Sequence, residues 1–146
     1  MPHNTHPLAT QIRRLGHAGL VPFVLLALTV WVLTDIDLQV WAAMAMASYA
    51  SLVISFLGGI YWGALWAAPK PLPNLLWWGV APSLLAWPGV LMPPHAGLVW
   101  LAAMLVACYL VDRKFYPALG LGHWLRLRFQ LSAVAALSCL VAAGAI

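Results

Sequence analysis

The charged residues best placed to do chemistry lie in one segment of the chain. Asp112 is followed directly by Arg113, and Arg126 and Arg128 come later in the same segment. A carboxylate close to guanidinium groups forms an ion pair, while arginines on their own hold the phosphate of an anionic lipid. We therefore predict an interfacial ion pair from Asp112 to Arg126 or Arg128. One alternative is that these arginines, together with Arg113, contact an anionic lipid. The other is that Asp112 is a solvated carboxylate at a helix end.

Other reactive groups are scattered. His3 and His6 lie in the polar N-terminal segment, and His17, His95 and His123 lie in separate segments, so no histidine pair is placed to hold haem iron. The sequence also lacks a nucleophile with a base, paired carboxylates and a metal-ligand cluster. We therefore predict no enzyme activity, no metal and no cofactor. No acid or base lies in the middle of an apolar run, which disfavours a coupled ion transporter.

The composition indicates that lipid is the main surroundings of this chain. Of its 146 residues 64% are hydrophobic and 7% are charged, and the mean hydropathy is +0.93. A soluble domain carries about 25% charged residues. The net charge of +4 comes from short basic clusters between apolar runs, which are typical of topology signals and lipid contacts. We therefore predict membrane lipids as partners and no nucleic acid.

Five apolar runs predict an all-α integral membrane protein, a bundle of five transmembrane helices in a single domain over 1–146. The predicted helices cover about 15–34, 38–68, 74–91, 96–112 and 124–146. Four of them are close to the roughly 20 residues that cross a bilayer, and the second, 38–68, is longer, so we expect it to tilt or to extend past the interface. Pro82 and Pro88 remove two backbone donors from the third helix, so we expect it to be kinked or broken.

The basic residues predict how the helices are threaded. With the N-terminus inside, all seven fall on the inner side: Arg13, Arg14, Lys70, Arg113, Lys114, Arg126 and Arg128. Cytoplasmic segments of membrane proteins carry an excess of Lys and Arg. We therefore predict an N-terminus inside and a C-terminus outside.

The second predicted helix carries a line of small residues at every fourth position. Its main members are Ala47, Ser51, Ser55, Gly59 and Gly63. Such a line lets a neighbouring backbone come close in a membrane. We predict that it is a helix-packing face.

Aromatic side chains in and next to the proline-containing helix suggest a ligand-binding cavity. A cavity for a quinone, sterol or porphyrin-like molecule is predicted from Tyr61, Trp62, Pro82, Ser83 and Trp87. Ordinary core packing is the alternative use of these residues.

Several blocks of the sequence resemble one family. They are GLVPF from Gly19, ISFLGGIYWG from Ile54, VAPSLLAWPGV from Val80, VDR from Val111 and WLRLR from Trp124. In this order they are similar to the domain of unknown function 3429 family, the group that includes the eukaryotic transmembrane protein 69. The resemblance implies an integral membrane protein of the bacterial inner membrane, or of the mitochondrial inner membrane in a eukaryote. It implies no activity and supplies no catalytic residues.

These observations predict a non-catalytic accessory, assembly or scaffold protein that packs on the helices of other membrane proteins. The alternative is a binder of a small apolar ligand in the aromatic-lined cavity. The two differ in what accompanies the purified protein, a membrane complex or a bound small molecule.

Overall fold

A computed structural model describes residues 7–70 and 72–146, and the chain is 86% helix, with no strand among the described residues. Six α-helices follow one another in them: α1 (Ala9–Ala18), α2 (Val21–Val32), α3 (Ile36–Ala67), α4 (Pro73–Leu91), α5 (Pro94–Phe115) and α6 (Leu125–Ala143). Short 3₁₀ turns at Pro117–Leu119 and Gly122–Trp124 connect α5 to α6. The prediction of an all-helical chain is confirmed. His3 and His6 lie outside the described residues.

The first apolar run forms two helices, whereas the sequence predicted one helix over 15–34. α1 begins before the run, at Ala9, and α2 begins at Val21 with Pro22 in its first turn. A proline lacks the N–H that a helix interior needs and fits the first turn, where that donor has no partner. Pro22 therefore begins a new helix. The Tyr49 hydroxyl donates to the Gly19 carbonyl over 2.8 Å, which satisfies a backbone acceptor at this break.

The remaining helix ends differ from the predicted ones by a few residues. α3 begins at Ile36, where the Asp35 side chain accepts a hydrogen bond from the Leu38 amide and caps the helix. α5 extends to Phe115, about one turn beyond the predicted end at 112. This extension places Asp112 inside a helix.

The small-residue line of α3 divides into two parts. Ala47 is buried in the core, and Ser51 and Ser55 are half-buried. At Gly59 and Gly63 an added Cβ would meet nothing within 4 Å. The first part of the line therefore packs inside the bundle, and the second part faces outwards.

The closest approach between α3 and α4 uses a glycine beside the predicted line. A Cβ on Gly58 would lie 2.5 Å from the Gly79 carbonyl oxygen and 3.3 Å from Pro82 Cγ. Gly58 and Gly79 are both buried. The two backbones can be this close only because neither residue has a side chain.

α4 runs without interruption from Pro73 to Leu91 and contains Pro82 and Pro88, so the helix is not broken, and the predicted kink stays a prediction. The indole N–H of Trp62 on α3 donates to the Leu76 carbonyl over 3.0 Å. The indole N–H of Trp100 on α5 donates to the Leu85 carbonyl over 2.7 Å. The prolines of α4 remove two backbone hydrogen-bond donors from the helix. Indole donors from both neighbouring helices bind its carbonyls and stabilise its position.

The two ends of the bundle differ in charge. At one end, which we call the basic end, the C-terminal parts of α3 and α5 meet the first turn of α6. At the other end Trp31 of α2 donates to the Val141 carbonyl of α6 over 2.8 Å. Asp35 and Asp37 lie at the start of α3, beside the end of α2, where the Gln39 amide donates to the Val30 carbonyl.

Within the described residues, four segments are long and apolar enough to cross a bilayer: Ala9–Val32, Ile36–Ala67, Pro94–Phe115 and Gly122–Ala143. α4 is not one of them, because its prolines, tryptophans and Asn74 reduce the mean hydropathy of a helix of 19 residues. The chain therefore has the properties of a membrane-embedded protein.

The adjacent glycines of α3 give a matched test of this packing. We expect Gly58→Ala to destabilise the protein by about 1–3 kcal/mol, because its Cβ meets the α4 backbone. Gly59→Ala should be neutral or stabilising by up to about 1 kcal/mol, because alanine favours the helix and the space is open. Thermal unfolding in a mild detergent measures both, and equal melting temperatures would contradict the described contact.

Candidate functional site

A cluster of buried polar side chains lies at the basic end, where three helices meet. α3 supplies Tyr61, α5 supplies Asp112 and α6 supplies Arg128, and Tyr116 lies directly after α5. Asp112 is 1% exposed and Arg128 is 6% exposed, although both carry charge. We call these four residues the charged cluster.

Three donor atoms surround the Asp112 carboxylate. The Tyr61 hydroxyl donates to Oδ1 over 2.6 Å, and Arg128 Nε donates to Oδ2 over 2.9 Å. Arg128 Nη2 lies 2.7 Å from the same Oδ2 but is not aligned for a hydrogen bond, so this contact is an ion pair only. Both carboxylate oxygens are therefore occupied, as a buried charge requires.

The connection between α5 and α6 brings Arg128 to Asp112. The chain reverses in the two 3₁₀ turns, where the Leu121 amide donates to the Tyr116 carbonyl over 2.9 Å. Gly120 between them has φ +74°, a left-handed conformation that glycine adopts without steric cost. α6 then begins at Leu125, and Arg128 in its first turn faces α5.

Tyr116 completes the cluster on the side of this connection. Its ring lies 5.8 Å from that of Tyr61 between centroids, and it is 2% exposed. Burial, and secondly the Asp112 charge, raise the pKa of Tyr116 to about 12, while the Arg128 charge acts in the opposite direction. Tyr116 therefore stays neutral at physiological pH and adds no charge to the cluster.

Two apolar cavities adjoin Arg128. The inner cavity has a volume of about 340 Å³, and Phe23, Tyr49 and Leu57 line it together with Arg128 and Ser132. Arg128 Nη2 and Ser132 Oγ are buried polar atoms without a hydrogen-bond partner among the described residues.

The second cavity, which we call the interfacial cavity, has a volume of about 470 Å³. It lies between α1, α3 and α6, and Gly16, Ile60 and Leu127 are part of its wall. Arg128 lines this cavity as well. Both volumes are in the range of small-molecule sites.

The predicted ionic residues are distributed over two environments. The structure joins Asp112 to Arg128, one of the two partners that the sequence left open. Arg113 and Arg126 are exposed, and neither forms an ion pair with Asp112 in the described residues. Helical geometry explains this, because Arg113 and Arg126 face away from the side that carries Asp112 or Arg128.

The residues of the predicted aromatic cavity contact different neighbours. Tyr61 points to Asp112, Trp62 donates to the backbone of α4, and Ser83 Oγ donates to the Val80 carbonyl. Pro82 is buried, and Trp87 is 62% exposed. Neither the inner nor the interfacial cavity is lined by Trp62, Pro82, Ser83 or Trp87. The two cavities beside Arg128 therefore lie elsewhere than the predicted one, which stays a prediction.

The role of Tyr61 was missed at the sequence level. It precedes Asp112 by 51 positions, and no local spacing links them. One signal did exist, since a carboxylate inside an apolar helix requires donors and the tyrosines supply hydroxyl groups.

The charged cluster can fix α3, α5 and α6 to one another, and its hydrogen bonds indicate that its role is to position these helices. Tyr61 and Arg128 both direct their polar atoms to Asp112, and Cys108 and Cys139 are buried. Among residues 7–70 and 72–146 no three His, Cys, Asp or Glu side chains come together as a metal site.

Helices of this length and polarity, held together by a buried ion pair, are the features of a helical membrane protein. Residues 8–144 match the family model described as "Protein of unknown function (DUF3429)", so the chain belongs to this family. The likeness to transmembrane protein 69 stays a prediction. Neither a curated protein nor a solved structure matches the chain.

Removing one partner of the charged cluster should destabilise the protein. Asp112→Asn leaves Arg128 buried without its counter-ion, and we expect a loss of about 3–5 kcal/mol. Tyr61→Phe removes one hydrogen bond to a charged acceptor and should cost about 1.5–3 kcal/mol. The exposed neighbour variant Arg113→Gln is the control and should change stability by less than about 0.5 kcal/mol. Thermal unfolding in mild detergent measures all three, and an Asp112→Asn protein that melts like the wild type would exclude this role.

Proposed function

We propose that this chain is a non-catalytic accessory protein that packs on a helix of a partner membrane protein. The observation that carries the proposal is the open space in front of Gly59 and Gly63 on α3. Both glycines are exposed, one turn apart, on a helix whose other faces contact α2, α4 and α5. We call this surface the glycine face.

The glycine face has the properties that helix association in a membrane requires. Without a hydrophobic driving force in lipid, helices associate through close backbone contact at small residues. Large side chains flank the glycines, because Phe56 is 70% exposed and Trp66 is 77% exposed. A partner helix that enters between them gains van der Waals contact on both sides. Gly58, the residue before Gly59, already uses this mode of packing against α4.

The proposed threading has five spans, with α4 as the additional one. α4 lies between α3 and α5. Its carbonyls accept hydrogen bonds from indoles of both helices, so α4 is part of the same bundle as the four longer segments. Helices that alternate in direction leave Lys70 and the α5–α6 connection at the basic end, together with α1. The excess of Lys and Arg at this end supports a cytoplasmic location for it, with the C-terminus outside.

The proposed location is the bacterial inner membrane, or the mitochondrial inner membrane if the source is a eukaryote. The proposed partners are membrane lipids and other membrane proteins, without nucleic acid. The segments 33–37 and 92–95 and the chain after Arg128 contain no Lys or Arg, which agrees with such a topology.

The glycine face is tested with paired leucine substitutions. We expect Gly59→Leu/Gly63→Leu to abolish a stoichiometric complex purified from native membranes in mild detergent, because the larger side chains fill the space for the partner. Ala103→Leu is the matched control, since Ala103 is exposed on α5. A photo-crosslinker at position 63 should label the same partner, and one at position 103 should not. Unchanged complex formation by the double variant would refute this role.

The threading has its own test. We expect an alkaline phosphatase fused to the C-terminus to be active, because this enzyme folds only outside the cytoplasm. A fusion to the loop after Lys70 should be inactive. The opposite pattern would reverse the proposed orientation.

A second candidate function, binding of a small apolar ligand, is favoured by the inner cavity. Its wall is apolar apart from Tyr49, Arg128 and Ser132, and the Ser132 hydroxyl lacks a hydrogen-bond partner. A ligand with one polar group would fit such a site. Native mass spectrometry of protein taken from its own membrane should then show one bound small molecule, and Ala135→Leu, which narrows the cavity, should remove it.

A further inference from the structure

A polar groove at the basic end separates α1 from α6. It has a volume of about 290 Å³, and α1 contributes Arg13 and His17. The first turns of α6 contribute Arg126 and Gln130, and the connection before α6 contributes His123. All of these side chains can donate hydrogen bonds, and the groove is lined by no carboxylate. We call it the basic groove.

The charges of the basic groove are not neutralised by the protein. The sequence contains only three acidic residues. Asp35 and Asp37 lie at the opposite end of the bundle, and Asp112 is buried and bound to Arg128. The guanidinium groups of Arg13 and Arg126 can therefore bind an anion from outside the chain.

The basic groove adjoins the interfacial cavity. Trp124 and Leu127 line both of them. Beyond these two residues the wall is largely apolar and includes Leu15, Phe56 and Ile60. A cationic groove thus continues into an apolar cavity, which is the polarity pattern of a molecule with an anionic head and a hydrocarbon tail.

The site lies next to α1, the short first helix. α1 ends at Ala18 and α2 begins at Val21, so α1 is a separate helix beside the first turns of α6. A Cβ on Gly16 would lie 3.1 Å from Leu131 Cδ1, so α1 touches α6 at this point. The groove and the cavity lie along this contact.

We propose that the basic groove and the interfacial cavity bind one anionic phospholipid, with its phosphate between Arg13 and Arg126 and one acyl chain against Leu127 and Ile60. Arginine forms paired hydrogen bonds to phosphate, and the polar residues at the membrane surface lie at the depth of the headgroups. The site adjoins the glycine face and shares Phe56 with it, but Arg13, Arg126 and Leu127 do not belong to that face.

Native mass spectrometry of the delipidated, detergent-solubilised full chain tests the proposal. The probes are phosphatidylglycerol and phosphatidylcholine with identical acyl chains. We expect the wild type to bind one phosphatidylglycerol at least about tenfold more tightly than phosphatidylcholine, and Arg13→Gln/Arg126→Gln to remove this preference. Equal binding of the two lipids by the wild type would overturn the proposal.

Arg14→Gln/Arg113→Gln is the matched control, because it removes the same charge at the same end from residues outside the groove. This variant should bind phosphatidylglycerol within about twofold of the wild type, since the lost charges lie outside the site. A loss as large as that of the groove variant would show general attraction by the basic end and overturn the site.

The acyl chain has a separate test. Ile60→Trp fills the interfacial cavity without a change of charge and should weaken phosphatidylglycerol binding by at least about tenfold. It also keeps the proposal testable if the groove variant does not fold. Glycerol 3-phosphate, which has the headgroup chemistry without acyl chains, should not displace the lipid at equal concentration. Displacement by it would identify a free-anion site and refute lipid binding.

Discussion

The buried ion pair between Asp112 and Arg128 is the interaction on which the rest of the basic end depends. In apolar surroundings a charge without partners costs several kcal/mol, so the donors of Tyr61 and Arg128 must reach it. This requirement fixes the C-terminal part of α3 against α5, and the first turn of α6 against both. The length of α5, the reversal at Gly120 and the start of α6 at Leu125 all serve the same geometry.

Elsewhere in the bundle, neutral side chains supply the hydrogen bonds that buried polar groups require. Tryptophan indoles connect helices by donating to backbone carbonyls, from Trp31 to Val141, from Trp62 to Leu76 and from Trp100 to Leu85. Each bond gives a polar group a partner where water is scarce. The tryptophans thus combine apolar surface with a single donor, and two of them stabilise the proline-containing helix.

The sequence predicted the helical class and the helix order well, because long apolar runs bounded by prolines and charges leave few alternatives. It also predicted Arg128 as one of two partners of Asp112. It predicted one helix through the first apolar run, where the structure has two, since a proline near the start of a run begins a helix as readily as it kinks one. It did not link Tyr61 to Asp112 and did not single out the cavities beside Arg128, because these features depend on the rotation of each helix about its axis. Small residues specify that rotation only where they meet a neighbour, as Gly58 does and Gly59 does not.

The most direct test of the account is a double-mutant cycle on Asp112→Asn and Arg128→Met, with unfolding free energies measured in the same detergent. If the buried pair closes the bundle, the two substitutions together cost much less than their sum, with a coupling free energy of at least about 2 kcal/mol. Losses that add within about 0.5 kcal/mol would show that the two side chains act independently and would contradict the account.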